Sequence, residues 1–143
     1  MTLIEVMLAV SVIVIAALGT LCYEYLCVDH IRYARAQLTA TRIGQLLLED
    51  WKSTGGSDTY NPEYLQMGFN STSSLPAGRC ETVIDGLPFY IWYSKRDVSK
   101  DDFAGVTLRE IDVLVRWNRD LGRGAVTIDD PSIHFTTYVR RDQ

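Results

Sequence analysis

Glu5 is the only charged side chain in the first twenty-one residues, MTLIEVMLAVSVIVIAALGTL. An ionised carboxylate in such a run costs about 2.5 kcal/mol or more near the centre of a bilayer, so its position is a functional-site hypothesis by default. It needs a positive partner. Within the run only the α-amino group of Met1 and the partial charge of a helix amino terminus qualify. One copy gains little by tying its own end to its own side chain. If neighbouring copies stagger so that Met1 of one lies beside Glu5 of the next, the charge is compensated only in an assembled polymer.

The remaining reactive side chains are sparse. Three cysteines, Cys22, Cys27 and Cys80, cannot all pair within one chain. Cys22 and Cys27 lie about 140° apart around a helix and do not face each other, which leaves a bridge from either one to Cys80 open, beside the alternative of reduced, buried thiols. His30 stands beside Asp29, and His134 alternates with apolar residues. Neither belongs to a nucleophile motif, so catalysis is not expected. Asp101-Asp102 and Asp129-Asp130 are acid pairs at turns, which are ordinarily solvated, so no metal and no cofactor are expected. Arg116, Arg119, Arg123, Arg140 and Arg141 could gather at one sheet edge, but Asp112, Asp120 and Asp142 are interleaved with them. Regional charge counts leave no segment basic enough to read as a nucleic-acid footprint.

The elements that must position Glu5 follow from composition. A span of about 20 apolar residues crosses a hydrocarbon core of roughly 30 Å as a helix. The opening lacks the basic stretch and the cleavage site of a secretory signal peptide, which predicts an anchor that stays attached. Residues 24–53 contain no proline and one glycine, Gly44, so the helix is expected to run over about 1–53 and to stop at Gly55-Gly56. At about 1.5 Å per residue it is too long for a small domain to cover, and half of it is expected to project.

Two stripes on that helix disagree in phase. Cys27, Ile31, Ala34 and Leu38 lie within about 60° of one another, whereas Ile43, Leu47 and Trp51 centre roughly 180° away. The later stripe is expected to pack on the chain's own globular part, and the earlier one on neighbouring copies. Gly19 is the weak point of the anchor.

Residues 54–78 read as a loop held down by Tyr60, Tyr64, Leu65, Met67 and Phe69. From residue 79 the period changes to two. Cys80 to Asp85 and Leu87 to Ser94 predict a hairpin around Asp85-Gly86, Lys95 to Gly105 a charged loop, and Thr107 to Asn118 a strand. Ala125 to Asp129 and Ser132 to Arg140 predict the last two. Short connections make the sheet antiparallel. The expected class is α+β: a hydrophobic helix half (1–23), an amphipathic half (24–53) and a globular part (54–143) whose sheet has four to five strands.

With these elements in place, Met1-Thr2-Leu3-Ile4-Glu5-Val6 resembles the start of a mature type IV pilin or type II secretion pseudopilin. Methionine at the first position and the closing pattern IDVLVRWNRDLGRGAVTIDDPSIHFTTYVRR look most like the I-type minor pseudopilin and V-type minor pilins. The resemblance implies assembly roles for Met1, Thr2, Leu3 and Glu5, with Glu5 neutralising a neighbour's amino terminus. It implies a precursor cut by prepilin peptidase and then N-methylated, and a single-pass subunit held in the inner membrane with its globular part outside the cytoplasm. Its partners would be the membrane assembly machinery and copies of itself or related pilins. The end state would be a periplasmic or extracellular helical filament. The chain departs from many pilins in lacking a mid-helix proline and a carboxy-terminal cysteine pair. The competing expectation is a membrane-tethered periplasmic binding or enzymatic module that never polymerises.

Overall fold

The computed structural model describes residues 2–73, 77–101, 105–118 and 126–142. One helix, α1 (Leu3–Ser53), precedes a short 3₁₀ turn (Pro62–Leu65) and five strands: β1 (Asn70–Ser73), β2 (Ala77–Ile84), β3 (Leu87–Asp101), β4 (Val106–Trp117) and β5 (Ser132–Asp142). The strands form one antiparallel sheet in the order β1-β2-β3-β4-β5. This is an α+β layout. The chain divides into two compact units, Met1–Arg35 and Ala36–Gln143, with the boundary inside α1.

α1 ends where the backbone turns left-handed at Gly55 (φ 65°) and Gly56 (φ 67°). Their amides close onto the carbonyls of Lys52 and Trp51, each at 3.0 Å, so the last turn is satisfied by the chain itself. In the second unit, Ala36, Ala40, Ile43, Gly44, Leu47 and Trp51 recur at helical spacing and are buried. They join a core made with Phe89, Ile91 and Tyr93 of β3 and Ile111, Val113, Val115 and Trp117 of β4.

Trp51 anchors the helix end. Its ring stacks on Tyr60 at 5.0 Å and meets Tyr93 edge-on at 5.8 Å, and its indole N–H donates to the Ser57 carbonyl at 3.1 Å. Tyr60 donates to the Leu47 carbonyl at 3.3 Å. The loop after α1 is thereby held by Tyr60, Phe69 and, in part, Leu65. Tyr64 and Met67 are instead exposed. Gln66 between them is left-handed (φ 53°) and turns the backbone at the end of the 3₁₀ segment.

The β2–β3 hairpin turns at Asp85 (φ 53°) and Gly86 (φ 77°), the positive-φ pair that a two-residue turn of matching twist needs. β3 and β4 alternate cleanly: the odd-numbered residues Phe89, Ile91, Tyr93 and Ile111, Val113, Val115, Trp117 are buried, while Tyr90, Trp92, Asp112 and Leu114 lie on the other face.

Three expected boundaries move. The charged run from Lys95 is not a loop: β3 continues to Asp101, because Arg96 pairs with Glu110 across the ladder at 3.1 Å and Lys95 and Lys100 sit opposite Ile111 and Thr107. The loop before the sheet contains β1, whose Asn70 and Ser71 pair with Glu81 and Cys80, and β2 begins at Ala77. The strand expected at 125–129 is absent over its described part. Residues 128–130 form a turn in which the Asp130 carboxylate accepts the Thr127 amide at 2.5 Å. Ala125 lies outside the described residues.

Candidate functional site: an acid in an exposed apolar helix

Thr2, Leu3, Ile4 and Glu5 read T-x-x-E, the sequence of a capping box. The Thr2 amide donates to Glu5 Oε2 at 3.0 Å, and the Thr2 hydroxyl lies 3.5 Å from the same oxygen. The carboxylate therefore satisfies an amide that the helix start would otherwise leave open. It sits in the first turn, where the helix dipole favours negative charge. Among the described residues Oε1 has no partner. Met1 lies outside them, so the amine expected beside Glu5 is not described.

From Thr2 to Leu26 every side chain is exposed, including Leu3, Ile4, Leu8, Ile13 and Leu18. The hydroxyls within this run bond back to their own helix, Ser11 to the Met7 carbonyl and Thr20 to the Ala17 carbonyl, each at 2.8 Å. That removes the main cost of placing them in an apolar environment. The helix stays continuous through Gly19, and it is long and apolar enough to cross a membrane.

The earlier stripe remains outside the core. Ile31, Ala34 and Leu38 are exposed and Cys27 is half-buried. Ile43, Leu47 and Trp51 are buried under the sheet. The three cysteines carry free thiols rather than a bridge. Cys80 is fully buried on β2, and burial, reinforced by the charge of Glu63, pushes its thiol up to about 12. A thiol so held is inert, since the thiolate is the reactive form.

The sheet unit holds a charge cluster that sequence reasoning missed. Arg109 on β4 is buried, and its guanidinium grips Asp97 in two contacts, Nε to Oδ1 at 2.6 Å and Nη2 to Oδ2 at 3.2 Å. Its Nη1 donates to the Gly56 carbonyl at 2.7 Å and to Asp58 at 2.9 Å. Asp58 also takes Lys95 and, at 2.7 Å, Arg141. The Asp97 carboxyl is held below the usual carboxylate range by the Arg109 hydrogen bonds. The cluster ties the segment leaving α1 to three strands and works as a clasp. One signal for it was legible: Arg109 shares the buried parity of Ile111, Val113 and Val115, and a charge on a core face requires a partner.

The other candidates disperse. β4–β5 register puts Arg116 opposite Ser132 and Leu108 opposite Arg140, so Arg116 and Arg140 lie roughly 26 Å apart along the strands rather than at one edge. Arg119 and Arg123 lie outside the described residues. Arg116 instead stacks over Trp92, as does Arg79. His30 is exposed on α1. His134 Nε2 approaches Asp112 Oδ1 at 3.3 Å, and Thr136 donates to that same oxygen at 2.7 Å. Asp129 is exposed, and among the described residues no three His, Cys, Asp or Glu side chains converge as metal ligands.

These features define a chain with a candidate membrane anchor at its amino end and an α+β unit following it. No protein-family model, curated protein or solved structure matches it.

Proposed function

We propose that this chain is a structural subunit of a helical filament of the type IV pilin or pseudopilin kind, closest in character to an I-type minor pseudopilin. The observation that carries the reading is the exposed apolar run of α1 with an acid in its first turn. In the membrane the run is solvated by lipid, and in the filament by the same run of neighbouring copies. Glu5 spends one oxygen on the Thr2 amide. The positive amino terminus of a neighbour, after peptidase processing and N-methylation, supplies a full charge to the carboxylate and repays its desolvation only on assembly. The sheet unit lies outside the cytoplasm, and the chain is a structural component with no catalytic role of its own.

Glu5→Ala tests this in cells that carry the assembly machinery. The variant inserts in the membrane and keeps a folded sheet unit, while filament yield collapses. Filaments at wild-type yield would sink the charge-pairing mechanism. A purified wild-type chain that stays monomeric and lacks an N-methylated terminus by mass spectrometry would favour a tethered, non-polymerising module.

A further inference from the structure

The two open edges of the sheet are built differently. β1 offers only Asn70–Ser73, and its ladder with β2 is irregular between Ser71 and Ser73, a blunted edge of the kind that resists strand addition. β5 spans Ser132–Asp142 and pairs with β4 in unbroken register, with no bulge and no proline. A long, regular edge of this kind is a template for another strand.

The phase of that edge is fixed by one hydrogen bond. The Trp117 amide donates to the Pro131 carbonyl at 3.2 Å, so odd-numbered positions from 131 onward turn their peptide groups toward β4. Ser132, His134, Thr136 and Tyr138 therefore turn theirs outward, and all four residues are exposed. Among the described residues their outward amides and carbonyls have no backbone partner.

We propose that β5 pairs antiparallel with β5 of a second copy of this chain, about a two-fold axis through Thr136. What favours a second copy is that the strand is complementary to its own reverse. In this register Thr136 opposes Thr136, His134 opposes Tyr138 and Ser132 opposes Arg140. On the opposite face Phe135 meets Thr137 and Ile133 meets Val139, the aromatic and β-branched pairs that stabilise ladders. The two arginines, Arg140 and Arg141, sit at one end only. The antiparallel arrangement sets them opposite Ser132 and Pro131, whereas a parallel in-register pair would oppose each arginine to itself. Sliding the copies two residues one way opposes His134 to Arg140, and sliding them the other way shortens the ladder. The contact does not rest on the filament reading, because it uses the sheet edge and not α1.

The test uses the full chain in detergent, with Cys22→Ser and Cys27→Ser removing the exposed and the half-buried thiol of α1 and buried Cys80 retained. Thr136→Cys then places two thiols across the axis at a Cα separation of about 5.5 Å, inside the range of about 4.4–6.8 Å that a disulfide spans. On oxidation with copper phenanthroline the covalent dimer becomes the main species. His134→Cys and Tyr138→Cys give it only when combined in one chain. Equal cross-linking by the single variants at 134, 136 and 138, none at 136, or capture of a different protein at 136 overturns the proposal. Thr136→Pro removes an outward amide without touching the β4 ladder, and should abolish the dimer while the thermal transition of the sheet unit survives. A dimer that persists in Thr136→Pro also overturns it.

Discussion

α1 contains the same residue types in two opposite situations. Leu8, Ile13 and Leu18 are 62, 67 and 57 % exposed, while Ile43 and Leu47 are 6 and 1 % exposed under the sheet. One continuous helix contains both halves, so burial is decided by partners and not by helicity. Where the chain supplies the partner, the apolar stripe is narrow and the remaining faces are polar. Where it supplies none, the apolar surface runs all round the helix, the pattern of a candidate membrane anchor. The exposed half tells its function through what the molecule leaves uncovered, and the buried half through what it covers.

The largest effect should come from the buried half. Trp51→Ala removes the ring that stacks on Tyr60 and meets Tyr93, and should cost the sheet unit about 3–5 kcal/mol in denaturant unfolding. Leu8→Ala, a comparable truncation in the exposed half, should leave that transition in place. Equal losses would break the distinction between the halves.

Next comes Gly44, which faces β5. A Cβ built there would overlap the Phe135 ring, so Gly44→Ala forces the ring or the helix to shift, at about 1–3 kcal/mol. Phe135→Leu combined with Gly44→Ala should recover part of the loss, read as a coupling energy in a double-mutant cycle. Additive losses would mean that the contact does not set the helix position.

Much of this was legible beforehand because it is local. Gly55-Gly56 ends α1, Asp85-Gly86 turns the hairpin, and the period-two runs around Ile91 and Val113 assign their own buried faces. The stripe of Ile43, Leu47 and Trp51 lies in the core and Leu38 outside it, but the covered face reaches back to Ala36 and Ala40, small residues that the apolar stripes did not include. What escaped was long-range. Lys95, Arg96 and Lys100 look like a loop by composition, and only the facing strand makes them a ladder. The clasp joins Asp58, Asp97, Arg109 and Arg141, and no local period reports a pairing across such separations. For Glu5 the sequence emphasised charge, while T-x-x-E was equally present as a capping signal. Both uses of the carboxylate are compatible, since capping occupies one oxygen.

The clasp sharpens the comparison through pH, because it belongs only to the covered unit. Asp97 has its folded pKa lowered by Arg109, so its contribution is complete above the ordinary value of about 3.9 and is lost as pH falls through the folded pKa. Between pH 5 and pH 3 the thermal midpoint of the wild-type sheet unit should therefore fall further than that of Asp97→Asn, which has already lost the charge. Equal falls in the two proteins would mean that the ion pair adds nothing to folding.

The smallest effect should be at Gly19, the exposed half's counterpart to Gly44. A Cβ there meets nothing within 4 Å, so Gly19→Ala carries no steric penalty in the isolated chain and should favour α1 by up to about 1 kcal/mol. The gain should appear as slower amide exchange around residues 16–22 in detergent, with the unfolding of the sheet unit unchanged. Its consequence for assembly separates two uses of the glycine. If Gly19 only weakens the helix, Gly19→Ala leaves filament yield intact. If copies approach closely there or the helix must loosen as it leaves the membrane, yield falls although the isolated chain is more ordered. The same substitution that is costly at Gly44 because a neighbour is present would then be costly at Gly19 only once a neighbour arrives.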